Sequence, residues 1–431
     1  MNFLITFPPL VKVLTIFVFI LILNKFRCNL GTALLIGTYF LALWFGLGIG
    51  QTGRVIVSSL LSSQALTLLL IVILILVLSK VMEKCGQMER IVNSFSAVLK
   101  NPRLSLAAMP ALIGLLPMPG GAVFSAPMVD VVAGNSKLNP SQRSVINYWF
   151  RHIWEYWWPL YPGVILAVSL TGIGLPRFIG AQLPLTFAAL LGGYLFIFLP
   201  LRRINLAEPS FPVAREWKIF FREVLPIILV ILIAILFESA TWILKSFTGR
   251  ELSLPKDISI ILGLLVSLIW VTVSNRVGGK MIKEIARDKM LYSMSFLVIG
   301  IMAFEGILQH SGAMAGIKEN LTELNIPLTV IVAFLPLVSG IVTGVSIGFV
   351  GASFPVVVEL VRANGAAGQL LPYVVLAYGF GFMGVILSPV HLCFIQTKDF
   401  FRTDMSKIYK RLLLPCLTVL IFTVLIFRLL K

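Results

Sequence analysis

Apolar residues fall in long blocks separated by short polar stretches, and ten of these blocks predict membrane-spanning helices. They lie at roughly 3–23, 30–49, 65–82, 145–170, 178–200, 222–243, 257–274, 291–309, 370–395 and 408–429. Two further blocks are split in the middle. The first, Arg103 to Ala133, places a short apolar run on each side of Pro117-Met118-Pro119-Gly120-Gly121. Such a run reaches only ~18–20 Å as a helix, against a hydrocarbon core of ~30 Å. The second, Thr329 to Val361, breaks at Thr343-Gly344-Val345-Ser346-Ile347-Gly348. Each block predicts a hairpin that enters from one face, turns inside and leaves by the same face. Backbone that is not helical at that depth must be buried in protein or line a wet cavity.

The blocks divide the chain into two similar halves. Residues 1–200 hold three spans, the hairpin 103–133 and two more spans; 222–431 repeat the order with the hairpin 329–361; 201–221 form the linker. A shift of 226 residues places Gly86, Met88 and Ile91 on Gly312, Met314 and Ile317, and Pro110 and Gly114 on Pro336 and Gly340. Five crossings per half is an odd number, so the second copy sits upside down. The expected fold is an all-α polytopic membrane protein of two inverted repeats, each of five transmembrane helices plus one re-entrant hairpin. Inverted repeats broken at matching positions point to a secondary transporter and to its binding site.

Composition agrees with the membrane class: 58% of the 431 residues are hydrophobic and 12% are charged. The net charge of +17 is read through topology rather than as a nucleic-acid footprint. With both hairpins re-entrant, 24 Lys and Arg fall on one side and 9 on the other; with each hairpin crossing once, the division is 17 to 16. The positive-inside rule selects the first arrangement, an inner-membrane protein with both termini outside the cytoplasm. The four cysteines are far apart, without disulfide or zinc spacing.

Candidate chemistry gathers at the breaks. In the first, Pro119, Gly120 and Gly121 interrupt the helix, and the second half-helix turns its N-terminus and Ser125 inward. In the second, Thr343 and Ser346 supply hydroxyls, while Gly344 and Gly348 supply flexibility. Carbonyls at the ends of the first arms, near Gly114 and Gly340, are candidate cation ligands, with Glu305 as a buried acid. The block 145–170 carries Asn147, Arg151 and Glu155 at i, i+4, i+8, one helical face, with His152 beside them and Pro159 and Pro162 after the charges. Arg151 and Glu155 serve either as a structural pair or as a site. Trp149, Trp154, Trp157 and Trp158 suit an interfacial belt and packing. The corresponding block after the second hairpin is broken at Ser388-Pro389-Val390-His391. No Walker motif, serine elbow or glycine-rich phosphate loop is present, which argues against an ATP-driven pump and an enzyme. No cofactor or resident metal is expected.

The stretches LLPMPGGAVFSAPMVD (115–130) and NYWFRHIWEYWWPLYPG (147–163) resemble an uncharacterised family of prokaryotic integral-membrane proteins. That family is grouped with the ion-transporter superfamily, distantly similar to gluconate permeases and related organic-anion carriers. The resemblance implies secondary transport through paired hairpins. The expected function is transport of a small organic anion coupled to Na+ or H+, with a cation/proton antiporter, a membrane scaffold and an intramembrane enzyme as alternatives. The lipid bilayer and the small ions are the expected partners; nucleic acid is not, and the oligomeric state, a homodimer included, is open.

Overall fold

The computed structural model describes residues 7–96, 101–115, 117, 121–134, 136–202, 217–248, 258–313 and 327–431. Among these residues the fold is all-helical, with no strand. Seven helices are long and apolar enough to cross a membrane: Ser63–Lys84, Leu175–Leu201, Trp217–Thr248, Lys289–His310, Ser346–Ala363, Ala367–Ile386 and Met405–Leu430. Their ends follow local chemistry. The Ser62 hydroxyl accepts the Ala65 N–H to start Ser63–Lys84, and Asp288 does the same for Met290 at the start of Lys289–His310.

Several predicted spans are shorter or broken. The first three predicted blocks become Pro9–Lys25, Leu30–Trp44 and Ser63–Lys84. The block 145–170 is not one helix. It is Pro140–Arg151, a run of turns, and Pro162–Thr171. Its counterpart 370–395 divides into Leu370–Ile386 and Leu392–Phe400. In both, proline sets the restart or follows the stop: Pro162 occupies the first helical position, and Pro389 follows Ser388 in the second break. Most of the 201–221 linker, residues 203–216, lies outside the described residues.

The two split blocks form helix pairs of unequal length. The first pair is Pro102–Ile113 and Ala122–Ala133, twelve residues each, or about 18 Å per arm. Asn101 caps the first arm through Arg103 N–H, and Pro102 opens it. The second pair is Leu328–Thr343 and Ser346–Ala363, of 16 and 18 residues. Its second arm counts among the helices long and apolar enough to cross, so the arms of this pair are longer than the half-length expected. Gly344, at φ +66°, makes the turn between them.

Close helix contacts rest on glycine. A Cβ at Gly340 would run into the Gly381 carbonyl, and one at Gly384 into the Leu337 carbonyl. Leu328–Thr343 and Leu370–Ile386 thereby approach backbone to backbone, the small-residue packing of membrane helices.

Candidate functional site

The two helix pairs and the two broken spans meet around one cavity of about 150 Å³. Pro117 comes from the first pair, Gly344, Ser346 and Ile347 from the second. Arg151, Glu155, Tyr161 and Pro162 come from the first broken span, and His391 and Cys393 from the second. Met290 and Met294, at the start of Lys289–His310, close one side. Pro119 and Gly120 lie outside the described residues.

Arg151 is the last residue of its helix and is 2% exposed. The helix stops there, at His152, before Pro159 and Pro162 rather than because of them. Glu155 therefore sits in the turns and does not share a helical face with Asn147, as the i, i+8 spacing predicted. Arg151 Nη1 is 3.4 Å from His152 Nε2 and 4.0 Å from Glu155 Oε1, a loose pair. On its other side, Gly121 leaves the space the guanidinium occupies: a Cβ there would overlap Arg151 Nη2. A second glycine, Gly163, packs on the start of Ser346–Ala363, its would-be Cβ 2.9 Å from the Ser346 carbonyl carbon. No side chain caps that helix start, so its partial positive charge faces the cavity that Ser346 and Ile347 line.

The other predicted residues take structural positions. Asn147 Nδ2 donates to Thr397 Oγ1 at 3.0 Å and to the Ala122 carbonyl at 3.5 Å, tying the first pair to the second broken span. The Ser125 hydroxyl is 3.5 Å from the Gly121 carbonyl of its own helix. The Thr343 hydroxyl donates to the Ser339 carbonyl at 2.8 Å, and Ser388 to the Ile341 carbonyl at 2.6 Å. Gly348 is packed against the Thr343 side chain. The Gly114 carbonyl accepts the Tyr161 hydroxyl at 2.5 Å, and the Gly340 carbonyl accepts the Gly344 N–H at 2.9 Å. Both predicted cation ligands are thus engaged within the protein. Glu305 is absent from the cavity lining and stands about 16 Å beyond Met294 along its helix, at 1.5 Å per residue.

The tryptophan indoles hydrogen-bond within the protein. Trp154 Nε1 donates to the Ala111 carbonyl and Trp158 Nε1 to the Leu115 carbonyl, each at 2.8 Å. With Tyr161 they cap the C-terminal carbonyls of the first arm, which the Pro–Gly break leaves without helical partners. Trp149 bonds the Ala189 carbonyl and Trp157 the Thr186 hydroxyl, each at 2.9 Å. All four indoles satisfy acceptors inside the protein.

Three residues escaped the sequence reading. Cys393 lines the cavity two positions after His391 and had no spacing to mark it. His152, His391 and Cys393 are buried, with donor atoms within 4.8 Å of one another, a set that suits a soft metal by ligand type. The adjacent Arg151 charge opposes a cation there. Tyr148 packs edge-on against both imidazoles, at 4.8 Å and 5.5 Å between ring centres. Glu359, inside the second pair, lies 2% exposed beside Gln309. Its signal was a lone acid within an apolar run.

No curated protein matches the chain. Residues 6–430 match the family described as protein of unknown function (DUF401), and the chain, all-helical among the described residues with seven helices long and apolar enough to cross a membrane, belongs to that family.

Proposed function

We propose that the chain is a secondary active transporter of the inner membrane that moves a small organic anion, coupled to Na+ or H+. The observation that carries this reading is the buried Arg151 guanidinium beside a cavity that also receives the start of Ser346–Ala363. A fixed cation and a helix N-terminus in a low-dielectric site favour an anion. Glu155 contributes the opposite sign and sets a limit on how much negative charge the site accepts.

The mechanism calls for two inverted repeats, and the contacts of the halves support that reading. Ser346–Ala363 packs on Pro162–Thr171, and Ala122–Ala133 packs on Leu392–Phe400. Lys289–His310 packs on Leu30–Trp44, and Ser63–Lys84 on Ile258–Ser274. Each contact has its counterpart with the halves exchanged. The first pair, at about 18 Å per arm, reads as a re-entrant hairpin. The second returns to its own face equally well whether it stops short or nearly crosses, so the 24 to 9 charge division is unaffected. Both termini then lie outside the cytoplasm. The resemblance to ion-transporter superfamily carriers, gluconate permeases among them, fits the mechanism and names no substrate.

The test is counterflow in proteoliposomes with a panel of carboxylates, sugar acids and cations, with and without Na+ and a pH gradient. Anion exchange supports the proposal. Exchange of a cation for protons with no anion moving replaces it by the antiporter, the second reading, which the buried acids Glu305 and Glu359 favour.

A further inference from the structure

At the end of Lys289–His310 remote from the Arg151 cavity, two buried acids face each other. Glu305 is 6% exposed and Glu359 is 2% exposed. Their helices, Lys289–His310 and Ser346–Ala363, pack together. Gln309 Nε2 donates to Glu305 Oε1 at 3.2 Å and to Glu359 Oε1 at 3.4 Å, so one amide bridges both carboxyl groups. Arg362 Nη1 lies 3.2 Å from Glu359 Oε1. The second oxygens, Glu305 Oε2 and Glu359 Oε2, are buried without a hydrogen-bond partner. Beside them is a cavity of about 190 Å³ lined by Ser58, Ser59, Ser62, Gln64, Glu305 and His310, among others.

One guanidinium balances one carboxylate. A second carboxylate, buried next to the first, carries a desolvation cost and a like-charge repulsion that no second cation among the described residues balances. Among the described residues the charged and titratable groups around the pair are few, and Arg54, on the Ile49–Leu60 helix packed against Lys289–His310, is exposed and turned to the Gly50 carbonyl. Arg362 is committed to Glu359, and the His310 ring bonds the Gly306 carbonyl at 2.9 Å. The Ser58–Gln64 segment offers only hydroxyls and an amide. Lys12, on the neighbouring Pro9–Lys25 helix, turns its ammonium to the Trp44 carbonyl instead.

We propose that Glu305 and Glu359 together hold one exchangeable proton, which reaches them through the Ser58–Gln64 cavity and is the ion coupled to anion movement. The coupling clause rests on the anion reading above; the proton site does not. With the proton on Glu305 the group is neutral, Glu359 and Arg362 cancelling. Release of the proton to cavity water leaves one net negative charge. A proton fits better than Na+ because the gap between the two Oε1 atoms is filled by the Gln309 amide, while a proton needs a single free oxygen. Ser346–Ala363 links the sites physically. Its first residue lines the Arg151 cavity and its fourteenth is Glu359, about 20 Å further on.

The experiment is a hydrogen–deuterium-sensitive infrared pH titration of the purified full chain, with Glu305→Gln and Glu359→Gln. The wild type should show a buried protonated-carboxyl band that disappears as pH rises. In Glu305→Gln the Glu305 component of the band should be lost, because Glu359 keeps its Arg362; a component that remains there and vanishes in Glu155→Gln belongs to the Arg151 cavity instead. In Glu359→Gln the Glu305 component should persist and titrate at lower pH, because the neighbouring negative charge is gone. In proteoliposomes, pH-gradient-driven anion uptake by Glu305→Gln should fall roughly tenfold or more. No titrating band in the wild type, or an unchanged band in Glu305→Gln, overturns the proton site. A normal band with uptake undiminished in Glu305→Gln overturns the coupling. If wild-type counterflow moves no anion, the anion reading falls while the band still decides the proton site.

Discussion

The two broken spans occupy matching places after their helix pairs, yet they are built from different chemistry. The first breaks at Arg151–Tyr161 and is filled with aromatic rings, a guanidinium, an imidazole and a carboxylate. The second breaks at Leu387–His391, after a helix with glycine at 379, 381 and 384. A pair of tyrosines runs between them in both directions. Tyr148 donates to the Ile386 carbonyl at 2.9 Å, and Tyr378 donates to the Glu155 carbonyl at 3.0 Å. Each break exposes carbonyls, and each is repaired partly by the other span. The difference teaches that one break supplies charge while the other supplies close approach. Both spans are broken, and the charged side chains are concentrated in one of them.

The strongest way to sharpen that contrast is to remove the charge. Arg151→Gln should lower anion transport by about a hundredfold, in line with the roughly 2–5 kcal/mol lost when a buried charge contact is truncated. Arg151→Lys should recover part of it, since the ammonium keeps the charge but not the planar fork. Counterflow rates normalised to folded protein check both. Equal rates for wild type and Arg151→Gln would show that the first break is no more functional than the second.

Close approach is tested next. Gly384→Ala puts a methyl on the Leu337 carbonyl and should cost about 1–3 kcal/mol, as overpacking does. A lower midpoint in thermal unfolding of the purified protein is the expected outcome. The equivalent change at Gly174, which has open space around it and only an N-cap role, should lower the midpoint less. If both behave alike, the tight crossing does not hold the second span.

The repair of carbonyls is of the same size or smaller. Tyr161→Phe leaves the Gly114 carbonyl without its hydroxyl and should destabilise by about 1–3 kcal/mol, the cost of an unsatisfied buried polar group. Tyr148→Phe and Tyr378→Phe should each cost about 1 kcal/mol, and by similar amounts if the two repairs are equivalent. A large gap between them in the same unfolding assay would mean that one span holds the other. The smallest effect belongs to Ser388→Ala. Its hydroxyl serves the Ile341 carbonyl, and transport should change by less than about threefold.

Legibility in the sequence differed by scale. The apolar helical class and the positions of the long apolar helices followed from the apolar blocks, because bilayer thickness sets their length, whereas the shorter helices Ile49–Leu60, Gln87–Ser96 and Gly279–Ala286 did not. The breaks at Pro117 to Gly121 and at Gly344 were visible too, because proline and glycine act on their own backbone. The roles of particular side chains were less visible. Arg151 and His391 stood out and do reach the cavity, whereas Ser125, Thr343 and Ser388 stood out equally and satisfy nearby carbonyls. A hydroxyl gives the same signal whether it meets a ligand or the preceding turn.

The amino-acid order by itself determined the all-helical, membrane-like class, the two split blocks and the burial of charge at Arg151 and Glu155. These depend on local hydropathy and local backbone chemistry. Tertiary structure decided that Cys393 joins His152 and His391, that three aromatic side chains cap the first arm, and that Glu305 faces Glu359 rather than the Arg151 cavity. Glu305 and Glu359 are 54 positions apart, and only the packing of Lys289–His310 on Ser346–Ala363 brings them together. Spacing along one chain carries no information about which faces two helices turn to each other; that is settled by how their side chains pack.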